Sequence, residues 1–567
     1  MLWENALRQS PLLNLNLQPE QALSHLPRPQ PALFPKPMLT VMAMSFAVIL
    51  PFFFLGIPSG HDFEFHLFSW MEVLSQWKQG IVYPRWAALA HWGYGEARFV
   101  FYPPASWTLG AALGALMPWK TVPEAYIWIA LTASGMSMFV LARHCLPPRD
   151  ALFAAALYTA NPYYIVVVYW RSAFAELLSG ALLPLLLYLL LRAQDDARKM
   201  IIALSLLVAA AWLINLPAAI MLNYSLALLV VSSALLHRSP RLLAYGGTAV
   251  VLGAALAAFY IIPAAYEEKW VNIAEVLAPG VRPQDNFLFT TMADSDHNRF
   301  NFLLSTIALA EIVVFAGTLW WAYRRRAEQR AAWWLLLLWM SGAILLMFSF
   351  TSIFWQHLPQ LRFVQLPWRW LLSFNAGFAL WLTMGTRRWL SRIALCLGLL
   401  GVILAAAHRL QPPWWDTAAD IKEMQDAVQE GVGYEGTDEY VPAGADPYEL
   451  SKHAPQVAIE ADKRGEIRIL AWGAEMKAFT AETWGDANLV LRLFNYPAWR
   501  AEVDGKLTAG RTREVTGQIM IPVEAGNHHV KVTFLPSRER RLGGLVSIAA
   551  VVVVVLMLLQ SKRKLRE

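Results

Sequence analysis

Long apolar runs separated by short polar stretches dominate the chain. Runs near 38–58, 124–142, 150–168, 177–191, 200–217, 218–236, 243–265, 301–323, 331–351, 369–386, 391–407 and 542–559 approach or reach bilayer-spanning length. At roughly 20 residues per span they predict about twelve transmembrane helices. A further apolar stretch, 104–118, opens on Pro103-Pro104 and is expected to lie along the membrane surface. Two polar stretches interrupt the pattern, 59–123 after the first run and 409–540 before the last. In the second the period changes. Val530, Val532 and Phe534 alternate with His529, Lys531 and Thr533, the period of a half-buried strand. Leu489 to Phe494 and Glu466 to Ala471 read as further strands, Asp504-Gly505 and Gly526-Asn527 as turns, and 416–430 as a helix. The expected fold class is an α-helical polytopic membrane protein with a small extracytoplasmic β-sandwich domain.

Composition agrees with the pattern. Of 567 residues, 57% are hydrophobic and only 16% charged, against about 25% charged in soluble domains. The net charge of +6 raises the prospect of a nucleic-acid partner, but its distribution excludes one. Basic residues cluster in the short loops Arg143 to Arg149, Arg192 to Lys199, Arg238 to Arg241, Arg324 to Arg330 and Arg387 to Arg392, and in the tail Lys562-Arg563-Lys564. Placing them all on the cytoplasmic side of the membrane leaves both termini inside. Segments 59–123, 169–176, 266–300, 352–368 and 409–540 then face outward. The expected organisation is a cytoplasmic segment 1–37, a transmembrane core 38–408, an extracytoplasmic domain 409–540, and a last helix with a basic tail over 541–567. Five prolines within 27–37 argue against a cleavable signal peptide. Cys145 and Cys396 have neither metal-site spacing nor a setting suited to a disulfide.

The chemistry-bearing residues collect in the outward segments. Asp62 lies in Gly60-His61-Asp62-Phe63-Glu64-Phe65-His66, directly after the first span. The spacing of Phe65, Leu67, Phe68, Met71 and Leu74 predicts an amphipathic interfacial helix over Phe63 to Trp77, for which Asp62 is a natural N-cap. The same carboxylate at head-group depth suits a general base or a metal ligand, with His61, Glu64 and His66 as helpers. Arg85 either grips a phosphate through its fork of donors or snorkels to head groups. Arg171 and Glu176 either pair with each other or line a pocket. Glu267, Arg362 and Arg369 stand at other outer helix mouths. Carboxylates beside arginines suit a phosphate-bearing donor and a hydroxyl acceptor. No nucleotide-type Gly-rich loop and no Ser-His-Asp or Cys-His signature is present, which argues against an ATP-driven machine.

The pieces GHDFEFH, GIVYPRW, GYGEARFVFYPP, YWRSAFAELLSGALLP, FYIIPAAYEEKWVN and LPWRW resemble bacterial membrane proteins with a 6-pyruvoyl-tetrahydropterin synthase-related domain. FNYPAWRAEVDGK and VEAGNHHVKVTFLPS resemble the C-terminal end of the neighbouring YfhO-like family. Nothing resembles the soluble pterin enzyme. Both families resemble GT-C glycosyltransferases, which take sugar from a polyprenyl-phosphate carrier. The resemblance implies Asp62 as the family's acidic residue after the first helix, with a divalent Mg or Mn ion as a possible cofactor. It places Pro103-Pro104 at the fold's surface helix, where the carboxylate many relatives carry is replaced by Glu96 and Arg98. The expected partners are membrane lipids, a polyprenyl-phosphate-linked sugar donor and a glycan or lipid acceptor. Rival expectations are a transporter of lipids or lipid-linked glycans, and a non-catalytic envelope assembly protein.

Overall fold

The computed structural model describes residues 35–192, 196–325, 330–409, 414–460 and 464–563. All but the last residues of the 1–37 segment fall outside them, as does part of the basic tail. Among the described residues, nine helices are long and apolar enough to cross a membrane, and up to eleven if two bent pairs each count as one span. The bent pairs are Arg241–Leu256 with Ala258–Trp270, at 75°, and Ala332–Leu346 with Ser349–His357, at 91°. The remaining expected span, 369–386, is the buried 15-residue helix Leu371–Gly385, short of the roughly 20 residues that cross a bilayer unaided. Pro104–Leu116 is a 13-residue helix, too short to cross, with Pro104 in its first turn where no amide donor is lost.

The polar segments converge at one end of the bundle. Strand β1 (Ile57–Pro58), after the first span, pairs antiparallel with β2 (Trp415–Asp416), which opens the C-terminal domain. A helix follows at Ala418–Gln429, closed at its N-terminus by a capping box between Thr417 and Asp420. The strands are β3 (Val457–Ile459), β4 (Gly465–Trp472), β5 (Met476–Thr483), β6 (Ala487–Phe494), β7 (Trp499–Val503), β8 (Lys506–Thr508), β9 (Arg511–Thr512), β10 (Gln518–Val523) and β11 (Gly526–Phe534). They form two antiparallel sheets, ordered β3-β6-β10-β9 and β4-β5-β11-β7-β8. The inward face of β11 is Val530, Val532 and Phe534, all buried. Asp504-Gly505 turns β7 into β8 with both residues at positive φ. Gly526-Asn527, expected as a turn, instead begins β11 and pairs with Thr483 and Glu482, so the chain reverses just before it.

The core of the sandwich does not close on itself. Phe494, Tyr496, Trp499 and Phe534 form one apolar cluster with Trp86, Tyr94, Val100 and Phe101 of the first loop. The loop helix spans Phe63–Lys78 and departs from the amphipathic surface helix expected there. Its polar positions His66, Ser69, Glu72 and Gln76 are as buried as Phe63, Trp70 and Val73. The reason is that other segments cover the side the sequence leaves polar: His66 meets Tyr102 and Phe174, Ser69 meets Arg98, Gln76 meets the Trp86 carbonyl, and Glu72 meets Tyr434 of the C-terminal domain, whose ring also stacks on Phe68 at 4.3 Å between centroids.

Candidate functional site

Gly60 is where the first loop meets the second. The helix carrying Tyr163 ends in a wide π-turn over Val167–Arg171, after which Ser172 sits at φ 49°. The last carbonyls of a helix have no partner within it. Those of Trp170 and Arg171 accept from the amides of His61 and Asp62 at 3.2 and 2.9 Å. The Ser172 hydroxyl accepts from Gly60 N at 2.9 Å and donates to Pro58 O at 2.9 Å. A Cβ on Gly60 would lie 2.3 Å from Trp170 O, so only glycine allows the two loops to close to this distance.

Asp62 holds the N-cap position of the loop helix, but its side chain makes no capping hydrogen bond. Its Oδ2 instead lies 3.6 Å from Arg171 Nη2, and the side chain keeps 42% exposure while that of Arg171 keeps 4%. Arg171 Nη1 donates to Glu176 Oε2 at 2.5 Å, and Arg369 Nε donates to the same oxygen at 3.1 Å. Tyr163 donates its phenol to Glu176 Oε1. Arg369 Nη1 is held by the Val364 carbonyl at 2.8 Å and Gln365 Oε1 at 2.9 Å. A chain Asp62–Arg171–Glu176–Arg369 results, buried at one end and open at Asp62. Two arginines sharing one internal carboxylate leave a positive charge for Asp62 and whatever it meets. Arg171 also lies over the Trp368 ring, 5.1 Å from its centroid, and the buried Trp368 indole N–H has no partner among the described residues. His66 is buried against Phe174 and Tyr102, and burial pushes its pKa down to about 4, so it is neutral at pH 7. His61 lies edge-on to Phe300 and Trp414.

The other expected site residues are elsewhere. Arg85 forms a two-pronged pair with Glu475 of the sandwich, at 2.9 and 2.6 Å. Glu267 receives Arg540 at 2.9 and 3.0 Å, the Tyr496 phenol at 2.6 Å and the Ser537 hydroxyl at 2.9 Å. Arg362 is exposed and sits over its neighbour Phe363 at 5.0 Å. Glu64 is exposed on the loop helix. Of Asp62, Arg85, Arg171, Glu176, Glu267, Arg362 and Arg369, all expected on the outward face, the structure gathers Asp62, Arg171, Glu176 and Arg369. Arg85 and Glu267 fasten other elements because each finds an opposite charge far away in sequence. Among the described residues no three His, Cys, Asp or Glu side chains gather where they would hold a metal ion. An Mg or Mn ion at Asp62 would take that one carboxylate and complete its shell with water and the oxygens of a phosphate-bearing substrate, as Mg commonly does.

A second buried cluster joins the first loop to the C-terminal domain. Glu72 accepts from Tyr434 Oη at 2.6 Å, from Leu89 N at 3.2 Å and from Ala88 N. Burial raises its pKa against those hydrogen bonds. Glu96 accepts from Arg98 Nε at 2.5 Å and from Thr437 N at 2.8 Å, and lies 3.0 Å from His91 Nε2. Burial raises the Glu96 carboxyl, but Arg98, His91 and Thr437 outweigh it and hold the pKa at about 2. His91 and Trp92 both have positive φ, and the Trp92 amide donates to Tyr434 O at 3.0 Å. Sequence reading left Glu72, His91, Tyr434 and Lys477 unremarked. The available signal was an acid and an amide, Glu72 and Gln76, one helical turn apart on a face expected to be wet.

The comparisons follow the same boundaries. A family model described as 6-pyruvoyl-tetrahydropterin synthase related domain, membrane protein, matches residues 99–411, more than half of the chain. The chain belongs to that family. The matched region of this 6-pyruvoyl-tetrahydropterin synthase-related membrane protein contains Arg171, Glu176 and Arg369; Asp62 and the sandwich lie outside it. No curated protein matches the chain. Among solved structures, ArnT from Cupriavidus metallidurans, bound to undecaprenyl phosphate, is similar at a TM-score of 0.43 and 11% identity, over 69% of this chain and 77% of that one. The Archaeoglobus fulgidus oligosaccharyltransferase in complex with Zn and sulfate is similar at 0.36 and 14%, over 71% of this chain and 54% of that one. Likenesses this loose transfer no residue role.

Proposed function

We propose that the protein is a glycosyltransferase using a polyprenyl-phosphate-linked sugar at the outer face of a bacterial inner membrane, with a cell-envelope glycan or lipid as acceptor. The observation that carries this reading is the uncapped Asp62 carboxylate, open to solvent and 3.6 Å from a buried arginine. The side chain turns to Arg171 instead of capping its helix, and its remaining oxygen surface stays open to a ligand. In the proposed step Asp62 takes the proton of an acceptor hydroxyl as its oxygen attacks the anomeric carbon. The bond from that carbon to the carrier phosphate breaks, the phosphate leaves with the electron pair, and configuration inverts. Arg171 and the buried Trp368 N–H face the departing oxygens, and Arg369 positions Arg171 through Glu176. Arg362 takes no part in this arrangement. No step runs through a metal ion.

The test is release of polyprenyl phosphate from a labelled donor by purified protein. Asp62→Asn should lower the rate at least about a hundredfold, the lower end of what general-base catalysis contributes. Binding of the labelled donor should persist. Unchanged release by a well-folded Asp62→Asn variant would sink Asp62 as the base, and no release by the unaltered protein would sink the reading and favour a transporter that moves the lipid-linked sugar without chemistry.

A further inference from the structure

The segment Arg98–Phe101 has two sides. Tyr102 follows it against the rings of Phe65 and His66, whereas Phe99 and Val100 line a cavity of about 480 Å3. Ile81, Val82, Tyr83, Phe259 and Tyr260 supply further apolar wall, and Arg85, Glu475 and Arg540 bring the charge. That size suits a small-molecule site, with an apolar lining and a few placed polar groups.

Its position is set by two membrane helices. Phe259 and Tyr260 begin the outer arm of the 75° bent pair, and Arg540 lies in the first turn of the last candidate span, Arg538–Gln560. Ser547 of that span fixes the bend, accepting from Phe259 N at 2.9 Å and donating to Ala255 O at 3.1 Å. The cavity therefore sits where both helices leave the membrane on the sandwich side. Val82 on its wall is 84% exposed, an apolar side chain suited to lipid contact.

The charge is not fully used within the protein. Arg540 gives Nε and Nη2 to Glu267, and its side chain is 10% exposed. Its Nη1 is buried with no hydrogen-bond partner. A buried guanidinium N–H left without an acceptor is costly, and an anionic oxygen satisfies it best. A second cavity of about 350 Å3 at the same helix mouth is lined by Arg500, Arg538 and Arg541 against a single acid, Glu539, and is net positive.

We propose that this cavity seats an anionic membrane lipid from the leaflet on the sandwich side. Its phosphate oxygen accepts from Arg540 Nη1, and its first acyl carbons lie against Tyr83, Phe259 and Tyr260. The site is separate from Asp62 and stands whether or not the protein transfers sugar. The experiment is native mass spectrometry of the full chain with phosphatidylglycerol, phosphatidylcholine of the same acyl chains, and inorganic phosphate as competitor. Both lipids offer the phosphate, so the difference lies in the choline ammonium, which the arginines of the two cavities repel; phosphatidylglycerol should be retained about tenfold more tightly. Ile81→Trp, which fills the cavity, and Arg540→Lys, which removes the unpaired donor, should each cut that retention about tenfold, and Asp62→Asn should leave it unchanged. In the unaltered protein, a diazirine-bearing phosphatidylglycerol should label peptides containing 80–85 or 258–263. Equal retention of phosphatidylcholine, indifference to both variants, labelling confined to other regions, or displacement by millimolar inorganic phosphate would each overturn the assignment, the last by showing a free-anion site.

Discussion

Lys477 is the least comfortable residue in the fold. It is buried in β5, its ammonium donates to the Gly473 carbonyl and lies over the Trp472 and Trp499 rings, and Glu72 and Glu475 are the nearby acids. Burial pulls its pKa from 10.5 down to about 7, against the pull of both carboxylates. The unfolded chain then binds more protons than the folded one between about 7 and 10.5, so the lysine's contribution to stability rises with pH across that window. Below 7 the folded protein holds a buried ammonium at full cost. Lys477→Met should therefore raise the melting temperature most at pH 6 and progressively less toward pH 10, measured by thermal unfolding in detergent. A gain that grew with pH would refute the burial argument. Glu96 stabilises where Lys477 destabilises, and its contribution also rises with pH, in a lower window. Its pKa falls from 4.5 to about 2, so its contribution is complete above 4.5 and disappears as pH drops toward 2. Glu96→Gln should lower the melting temperature at pH 7 and be near neutral at pH 2.5.

Elements are placed here by contacts that a single sequence shows only in part. The charges at helix mouths were legible: Asp62, Arg171, Glu176 and Arg369 stand out because an ionisable residue at a membrane edge needs a partner. Which partner was not. Arg85 reads as a phosphate ligand until Glu475, 390 positions away, takes two of its nitrogens. The loop helix reads as amphipathic because Glu72 and Gln76 share a face, and no local signal says that Tyr434 will cover it. The π-turn at Val167–Arg171 was likewise invisible, yet it turns two carbonyls toward Gly60 and so sets where Asp62 stands. That clasp can be tested as an element. Gly60→Ala puts a Cβ 2.3 Å from Trp170 O and 2.8 Å from Arg171 C, a backbone contact that no rotamer relieves. It should destabilise by about 1–3 kcal/mol, as overpacking does, and lower sugar release further by moving Asp62 from Arg171. Ser172→Ala strands a buried amide at Gly60 and a carbonyl at Pro58, at a cost of about 1–3 kcal/mol. Denaturant titration of both variants checks the order of magnitude.

At the scale of the whole molecule, the sandwich is part of the membrane domain's core rather than a module appended to it. β1 pairs with β2, Ile57 with Asp416 and Pro58 with Trp415, Val271 bridges to Pro442, and Glu267 binds both Tyr496 and Arg540. The aromatic cluster of Trp86, Tyr496, Trp499 and Phe534 draws on both sides of the junction. Inter-domain motion is the default only where the interface is small and polar, and this one is apolar and contains buried ions. Removing 409–540 would leave Trp86, Tyr94 and Phe101 uncovered, and would strip Tyr434 from Glu72, Thr437 from Glu96, and Tyr496, Ser537 and Arg540 from Glu267. The truncated chain should therefore fail to accumulate as a monodisperse species in fluorescence-detected size exclusion, whatever its chemistry. A stable truncated core would show the junction to be dispensable. Loss of function on truncation consequently does not separate a scaffold from a transferase. The separating comparison is at Asp62, where one atom is exchanged in a carboxylate that makes no capping hydrogen bond and the junction stays intact.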